Sequence, residues 1–315
     1  MSFDARHVAD TFVFVAGKII AKNRYVFAAH DEELLAKEKY RTHLLLYEDG
    51  IWSELASFNW QSVGLTIAVK EPLQILVLGR DGQVGIFEGK PSQSKLETKR
   101  PIGPMRGITT IGSTAYAYGM KRDVFRRVTS TTWQPFDSGM KAALPTKGKI
   151  DVSAIIRDGI KNMGGINSIS QVPGGAVHAF GMRGEIWKLL KTTWKRVDSP
   201  TNVMLQDSTP RNDGTVWVCG QLGTLISGSD NRWKNETYSG PEGLDFRAIA
   251  EFKEQIYLAD GHSLRVLVKD ELKAVEMDDQ LVPSSDLDAS RSEILSVAGK
   301  EVIVGDGKGW KNLLE

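Results

Sequence analysis

A short run of apolar residues recurs along the chain at intervals near forty residues. In most copies the run ends in a small residue, and a polar turn and another short strand-like segment follow it. The first residues of successive copies are 50, 40, 62, 39, 40 and 46 positions apart. The seven copies are Tyr25–Ala29, Ile75–Gly79, Ala115–Gly119, Val177–Gly181, Val216–Gly220, Ile256–Asp260 and Val302–Gly305. Short strands with this period are typical of the blades of a β-propeller.

Each apolar run is interpreted as the second of four strands in a blade. A strand-like segment precedes the run, as in Gly107–Ile111, and another follows it, as in Asp123–Arg127. A tryptophan opens the expected fourth strand in several blades, at Trp52, Trp133, Trp194 and Trp233. The sequence therefore predicts an all-β fold, a seven-bladed β-propeller of four-stranded blades.

The two ends of the chain predict how the ring closes. Only Asp306–Glu315 follow the last apolar run, which leaves room for one more strand but not for two. Thr11–Val15 is a surplus strand that precedes the first blade, which begins at about Gly17. We therefore expect the N-terminal strand to complete the last blade, and residues 1–315 to form a single propeller domain.

Two irregular inserts interrupt the repeat, at about residues 31–42 and 139–165. The first contains Glu32–Lys37, a polar stretch with helical propensity. In the second, apolar residues recur at helical spacing between the candidate N-cap Asp151 and a candidate helix end at Gly164. These apolar residues are Val152, Ile155, Ile156, Ile160 and Met163. Such a helix could bind a partner or pack on its own propeller, and the second use is the more common.

The tryptophan-led segments Thr131–Trp133 and Thr192–Trp194 resemble degenerate BNR repeats. These repeats occur in sialidase-type propellers and in the propellers of photosystem II assembly factors. Their pattern is roughly Ser-x-Asp-x-Gly-x-Thr-Trp, in which Asp and Gly shape a tight turn. Ser227–Trp233 is another partial copy, whereas the positions upstream of both Thr-Trp pairs lack the Asp and Gly. The resemblance implies a seven-bladed propeller and leaves its function open.

Charge and composition narrow the class of protein further. The 40 Lys and Arg and 39 Asp and Glu residues give a net charge of +1, which makes nucleic acid an unexpected partner. A single cysteine, Cys219, excludes an internal disulfide. Residues Met1–His7 lack a signal-peptide pattern, and no apolar run approaches the roughly 20 residues that cross a bilayer. We therefore expect a cytoplasmic protein without membrane association.

Candidate catalytic and metal-binding residues are few. The histidines are scattered, and His262, which lies in a turn, is a better functional candidate than His178, which lies within a strand. An acidic set between the sixth and seventh blades offers oxygen ligands of the kind that Ca²⁺ binds, but a solvated acidic loop is the preferred interpretation. This set comprises Glu276, Asp278, Asp279, Asp286 and Asp288. The sequence predicts no catalytic residue, no metal and no cofactor.

The turns after the apolar runs hold the most informative polar residues. In a propeller these turns share one face, so cations from several blades would form a basic rim there. The predicted partner-binding residues are Arg80, Lys121, Arg122, Arg183 and His262, and Lys308 is placed in the last of these turns. We expect this face, with residues 31–42 as a flanking contact, to bind another protein that has an acidic surface.

These observations favour a non-catalytic protein-binding module. An adaptor, an assembly factor and an inhibitor, such as an immunity protein that neutralises a toxin, are all compatible with the scaffold. The alternative is a glycan-processing, sialidase-like propeller enzyme. That chemistry would need arginines, an acid and an activated tyrosine around the central channel.

Overall fold

Seven four-stranded antiparallel sheets form a ring in a computed structural model that describes residues 2–141 and 164–315. Each sheet is built from four consecutive strands of the chain. The first strand of each sheet lines a central channel, and the fourth lies at the outside of the ring. The predicted seven-bladed β-propeller is therefore confirmed.

The first blade carries two additions to the four-stranded pattern. Its elements are β1 (Ser2–Phe3), α1 (Ala5–Thr11), β2 (Phe12–Ala21), β3 (Arg24–Asp31), α2 (Glu32–Ala36), β4 (Thr42–Glu48) and β5 (Ile51–Phe58). Strands β2 to β5 form the blade, and the two-residue β1 pairs with the outer edge of β5. Helix α2 lies in the first predicted insert and is capped by the Asp31 side chain, which accepts a hydrogen bond from the Leu34 N–H.

The next three blades follow the plain pattern. The second contains β6 (Ser62–Val69), β7 (Gln74–Gly79), β8 (Gln83–Glu88) and β9 (Lys90–Lys95). The third contains β10 (Met105–Ile111), β11 (Thr114–Gly119), β12 (Val124–Arg127) and β13 (Trp133–Pro135). The fourth contains β14 (Ile166–Gln171), β15 (Val177–Gly181), β16 (Ile186–Leu190) and β17 (Thr193–Val197), with a 3₁₀ turn at Met182–Gly184. The helix predicted around residues 152–163 lies outside the described residues.

The last three blades complete the ring. The fifth contains β18 (Leu205–Pro210), β19 (Val216–Gly220), β20 (Leu225–Ser229) and β21 (Arg232–Asn235). The sixth contains β22 (Ala248–Phe252), β23 (Gln255–Ala259), β24 (Leu264–Val268) and β25 (Glu271–Ala274). A small hairpin of β26 (Glu276–Met277) and β27 (Gln280–Leu281) leads to the seventh blade. That blade contains β28 (Asp286–Ala289), β29 (Ile294–Ala298), β30 (Glu301–Gly305) and β31 (Trp310–Asn312).

The core consists of apolar clusters at the junctions between blades. The cluster between the first two blades includes Val26 and Leu44 from one blade and Leu65, Ile75 and Val77 from the other, each at most 2% exposed. Similar clusters occupy the other junctions. Because successive side chains of a strand point to opposite faces, apolar residues throughout a central strand serve both neighbouring blades. Removal of this apolar surface from water is the main contribution to stability.

Two of the four tryptophans predicted to open fourth strands are hydrogen-bonded to a neighbouring blade. Trp194 is 2% exposed, and its indole N–H donates to the Phe136 carbonyl of the preceding blade at 2.7 Å. Trp52 does the same across the junction between the first and last blades, where its N–H lies 3.3 Å from the Leu313 carbonyl. A large buried ring with one polar atom therefore both fills and orients these junctions.

The predicted closing strand was wrong. Residues 12–15 are the beginning of β2, the innermost strand of the first blade, and the last blade takes all four of its strands from residues 286–312. Val302–Gly305, predicted to be a second strand, belongs to the third strand β30. The second strand is β29, which restores a spacing near forty residues. The ring closes instead through packing and hydrogen bonds between the first and last blades, including a bond from the Phe14 N–H to the Gly299 carbonyl.

Side chains of the inner strands link consecutive blades around the channel. Asp286 and Asp288 accept hydrogen bonds from the N–H groups of Gly17 and Ile19, at 3.0 and 2.9 Å, across the closing junction. Asp207 accepts a similar bond, at 3.1 Å, from a backbone N–H of the sixth blade. An inner strand is an edge strand, so N–H groups on its open side need partners. Carboxylates of the adjacent blade provide them.

Candidate functional site

One face of the ring collects the turns that join second strands to third strands. We call it the upper face. It includes the turns at residues 80–82, 120–123, 182–185, 221–224, 260–263 and 299–300, together with residues 32–41. The connections between blades reach the same face, where the N–H groups of Arg80 and Met120 donate to the carbonyls of Gln61 and Pro104, each at 2.9 Å. Antiparallel strand order places all of these segments at one end of the blades.

Four of the five predicted partner-binding residues are exposed on the upper face. They are Arg80, Lys121, Arg183 and His262, from the second, third, fourth and sixth blades. Neither Lys121 nor Arg183 forms an ion pair with a residue in the described ranges. The backbone N–H of His262 donates a hydrogen bond to the Asp260 carboxylate at 2.9 Å, and this bond orders the turn. The structure therefore brings these side chains to one face, and their role in binding stays a prediction.

Arg122 corrects the predicted set, because it is buried rather than exposed. The residue is 6% exposed, and its side chain forms a bidentate ion pair with Glu185. The Nε–Oε2 and Nη2–Oε1 distances are 2.7 and 2.5 Å. The indole N–H of Trp187 also donates to Glu185, at 3.2 Å. Arg122 therefore joins the third blade to the fourth beneath the surface and cannot contribute a free charge to a basic rim.

The upper-face cation of the seventh blade is Lys300 rather than Lys308. Lys308 lies between β30 and β31, at the opposite face, because Val302–Gly305 belongs to a third strand. Lys300 follows β29, donates to the Ala9 carbonyl at 3.0 Å and pairs with Glu32 of helix α2. This contact fastens the first insert to the last blade.

The first insert is also anchored by a buried imidazole. His30, at the end of β3, is 6% exposed, and its Nε2 atom accepts a hydrogen bond from the Ser62 N–H at 3.1 Å. Burial, together with a smaller effect of the neighbouring His43, lowers the pKa of His30 to about 4. Tyr40, which is 38% exposed, packs edge-on against the His30 ring. The neutral imidazole thus supports a tyrosine at the surface.

The central channel is an open cavity of about 1480 Å³ with a polar wall. All seven inner strands contribute to its lining. Lys18 pairs with Asp288 at 3.1 Å, and Asp286 and Asp207 lie close to the same lysine. Burial raises the pKa of Asp286 to about 6, although Lys18 and the Gly17 N–H act in the opposite direction. Burial also raises the pKa of Asp207.

The channel holds some of the residue types that a sialidase-like enzyme would need, but in a different arrangement. Arg106 and Arg247 lie where inner strands begin, whereas Arg291 follows the end of β28 at the other mouth. Burial raises the pKa of Tyr118, and Asp207 raises it further, which opposes formation of a phenolate nucleophile. The channel carboxylates already accept hydrogen bonds from the backbone and from Lys18.

The remaining candidate residues have structural surroundings. Cys219 is a buried free thiol, and burial raises its pKa well above the usual range. His178 is 1% exposed, and its Nε2 atom lies 3.2 Å from the Asp230 carbonyl. The acidic set does not form one loop, because Glu276 belongs to the small hairpin while Asp286 and Asp288 lie in the channel wall. Within residues 2–141 and 164–315, no group of three or more His, Cys, Asp or Glu side chains is placed to hold a metal ion.

Three surface residues that the sequence interpretation did not single out share the upper face. Met120 and Met182 are half-buried beside Lys121 and Arg183, and Leu222 is 71% exposed in the corresponding turn of the fifth blade. Aligning the turn sequences on the glycine that ends each of these second strands would identify the three positions.

The fold defines this chain as a seven-bladed β-propeller, and comparison with solved structures agrees. It is similar to the WD40 propeller domain of Doa1, with a TM-score of 0.66 and 11% identity over 99% of this chain and 94% of that one. It is also similar to YCF48 bound to D1 peptide, with a TM-score of 0.60 and 15% identity over 93% of each chain. The expected likeness to an assembly-factor propeller is thus confirmed for the fold.

In sequence, the chain is 27% identical over 319 residues to the immune protein Tsi7 of Pseudomonas aeruginosa. The match covers 98% of this chain and 99% of that protein. No family model matches the chain, so the BNR assignment of the repeats is not confirmed. Among the described helices, none has the length and apolar character needed to span a bilayer.

Proposed function

We propose that this chain is a non-catalytic propeller that binds another protein, and that it acts as an immunity protein that neutralises a toxin. The observation that carries the proposal is the full-length similarity to a protein named as an immune protein. Because that similarity extends over the whole ring, it concerns the entire scaffold rather than one shared motif.

The upper face is proposed as the binding surface. It carries exposed cations from three blades, Arg80, Lys121 and Arg183, the exposed His262 of a fourth, and the segment 32–41 with Tyr40. Arginine and tyrosine are common at the energetic centres of protein interfaces. Unpaired cations on a face would steer an acidic partner towards it and would form charge-assisted hydrogen bonds in the complex. An acidic protein surface is therefore the proposed partner chemistry.

The proposal includes the cytoplasm as the compartment of the protein. A reducing compartment suits a chain whose single cysteine is a buried free thiol.

A glycan-processing enzyme is the second candidate, since the open channel provides space for a ligand. The raised pKa of Tyr118 and the hydrogen-bonded state of the channel carboxylates count against it. A Tyr118→Phe variant separates the two functions. It would abolish a tyrosine-dependent glycosidase and should leave partner binding unchanged.

The direct test is binding to a toxin-domain protein encoded beside the gene. We expect the purified chain to bind that protein and to rescue growth of cells that produce it. The double variant Lys121→Glu/Arg183→Glu should weaken the complex by about 1–3 kcal/mol, because two cations of the upper face become acids. Lys308→Glu changes a lysine at the opposite face and is the matched control. Failure of the wild-type chain to bind or protect would contradict the proposed function.

A further inference from the structure

Three neighbouring blades display a long side chain at the same position of the same turn. In each, a glycine ends the second strand, and the residue two positions later projects from the turn. These residues are Lys121 after Gly119, Arg183 after Gly181 and Leu222 after Gly220. All three side chains are exposed, and Leu222 is the most exposed large apolar side chain in the described ranges, at 71%.

The backbone at these positions has the conformation that glycine prefers. The φ angles of Lys121, Arg183 and Leu222 are 59°, 57° and 53°. A residue with a Cβ atom is disfavoured in the left-handed region. At the corresponding position of the sixth blade the residue is Gly261, whose φ is 90°. A glycine substitution at these three positions would therefore remove the side chain and keep the turn.

The Leu222 turn is held rigidly from below. The Leu222 N–H donates to the Asp245 carboxylate at 2.9 Å, and the Gly223 N–H donates to the Leu244 carbonyl at 2.5 Å. The Tyr238 hydroxyl donates to the Gly223 carbonyl at 2.8 Å. These bonds fix the direction in which the leucine side chain leaves the surface, so its exposure is built into the turn and does not result from fraying.

Adaptable apolar side chains lie between the projecting residues. Met120 and Met182 are half-buried, and their sulfur atoms converge on Gly165. A Cβ atom on that glycine would lie 2.9 Å from the Met120 Sδ and 3.5 Å from the Met182 Sδ. Methionine is flexible and polarisable, and it is frequent on surfaces that adapt to a partner. The surface of the third, fourth and fifth blades therefore combines two half-buried methionines, two exposed cations and one exposed leucine.

We propose that this part of the upper face is the recognition arc for the toxin, defined by Met120, Lys121, Met182, Arg183 and Leu222. This inference rests on the proposed function and specifies it. The partner surface that fits is an apolar pocket for Leu222, bordered by carboxylates that pair with Lys121 and Arg183. Exposed cations without ion pairs among the described residues, next to a fixed leucine, match that chemistry.

Glycine substitutions in the turns test the arc, because they remove the side chain and suit the backbone. For Arg183→Gly and Leu222→Gly we expect a melting temperature equal to or higher than that of the wild type. Affinity for the toxin-domain protein encoded beside the gene should fall by at least about tenfold in each variant. Lys191→Gly is the matched control, since Lys191 is exposed with a φ of 58° in a turn at the opposite face. Its affinity should equal that of the wild type.

The outcomes separate the arc from the proposed function. If the wild-type chain binds the toxin and both glycine variants bind equally well, the arc is wrong and the function stands. If the glycine variants melt well below the wild type, the side chains serve the fold and the arc is also wrong. If the wild-type chain fails to bind the toxin, both the function and its arc are contradicted.

Discussion

Arg122 and Arg183 occupy corresponding turns of neighbouring blades, but their side chains have opposite environments. Arg122 is 6% exposed and paired with Glu185, which is 2% exposed, whereas Arg183 extends into solvent. A buried ion pair contributes little net stability relative to an apolar pair, yet removal of one partner leaves an uncompensated charge. The two arginines therefore act differently although both carry the same charge.

Substitution of each arginine by alanine should separate these roles. We expect Arg122→Ala to lower the free energy of unfolding by about 3–5 kcal/mol, because the Glu185 carboxylate stays buried without its counter-charge. Arg183→Ala, the matched control, should change it by less than about 0.5 kcal/mol. Urea denaturation followed by tryptophan fluorescence measures both values. Equal stability of the two variants would show that the Arg122–Glu185 pair does not join the blades.

Among the secondary-structure elements, the fourth strands differ in how their tryptophans hold the neighbouring blade. Trp194 of β17 donates to the Phe136 carbonyl, whereas the Trp133 indole N–H of β13 is buried without a hydrogen-bond partner among residues 2–141 and 164–315. The two rings are similarly buried, at 2% and 7% exposure. Comparison of Trp194 with Trp133 therefore separates the contribution of the hydrogen bond to stability from that of ring packing.

Tryptophan-to-phenylalanine substitutions should resolve that difference. Trp194→Phe removes the N–H and leaves the Phe136 carbonyl unpaired, so we expect a loss of about 1–3 kcal/mol beyond the packing cost. Trp133→Phe removes a buried N–H that lacks a partner and should cost less. Thermal unfolding of both variants provides the comparison. A larger loss for Trp133→Phe would contradict the role assigned to the Trp194 hydrogen bond.

The segment 32–41 should loosen in acid because His30 must stay neutral. The pKa of His30 is lowered from 6.5 to about 4, so its contribution is present above pH 6.5 and is lost as the pH falls towards 4. The shift corresponds to about 3 kcal/mol. The protection factors of the segment, which correct for the intrinsic pH dependence of amide exchange, should fall over this interval, and His30→Gln, which cannot titrate, should remove the fall. Identical pH profiles for the two proteins would assign the effect elsewhere.

At the scale of the whole molecule, the junction that closes the ring, between the first and last blades, contains a titratable group, Asp286. Asp286 belongs to the last blade and accepts a hydrogen bond from Gly17 of the first. Its pKa is raised from 3.8 to about 6, so the folded ring holds this proton more tightly than the unfolded chain does. The resulting stability is fully present below about pH 4 and is lost as the pH rises through about 6.

An Asp286→Asn variant should flatten this part of the stability profile. Asparagine keeps an oxygen acceptor for the Gly17 N–H and carries no charge. The wild type should lose about 3 kcal/mol from this residue between pH 4 and 6, and the variant should not. Denaturation midpoints across that range measure the effect. The difference between the two proteins at each pH removes the contribution of the other titratable groups. Parallel profiles would contradict the raised pKa.

The repeat in the sequence was sufficient to predict the seven-bladed fold, the four-stranded blades and the tryptophans of the fourth strands. These features depend on apolar periodicity and turn residues, which are local properties of the chain. The common face of Arg80, Lys121 and Arg183 also followed from the repeat, because antiparallel strand order fixes the end of the blade at which each turn lies.

Only the tertiary structure decided which charges are free and how the ring closes. Arg122 became a buried partner of Glu185 because two blades meet there, and Asp286 and Asp288 became part of the channel wall because strands distant in sequence are adjacent in the ring. The closing junction was misassigned from the sequence, since two short apolar strands of the last blade, β29 and β30, look alike locally. Burial and long-range contact are properties of the folded ring, so local patterns cannot specify them.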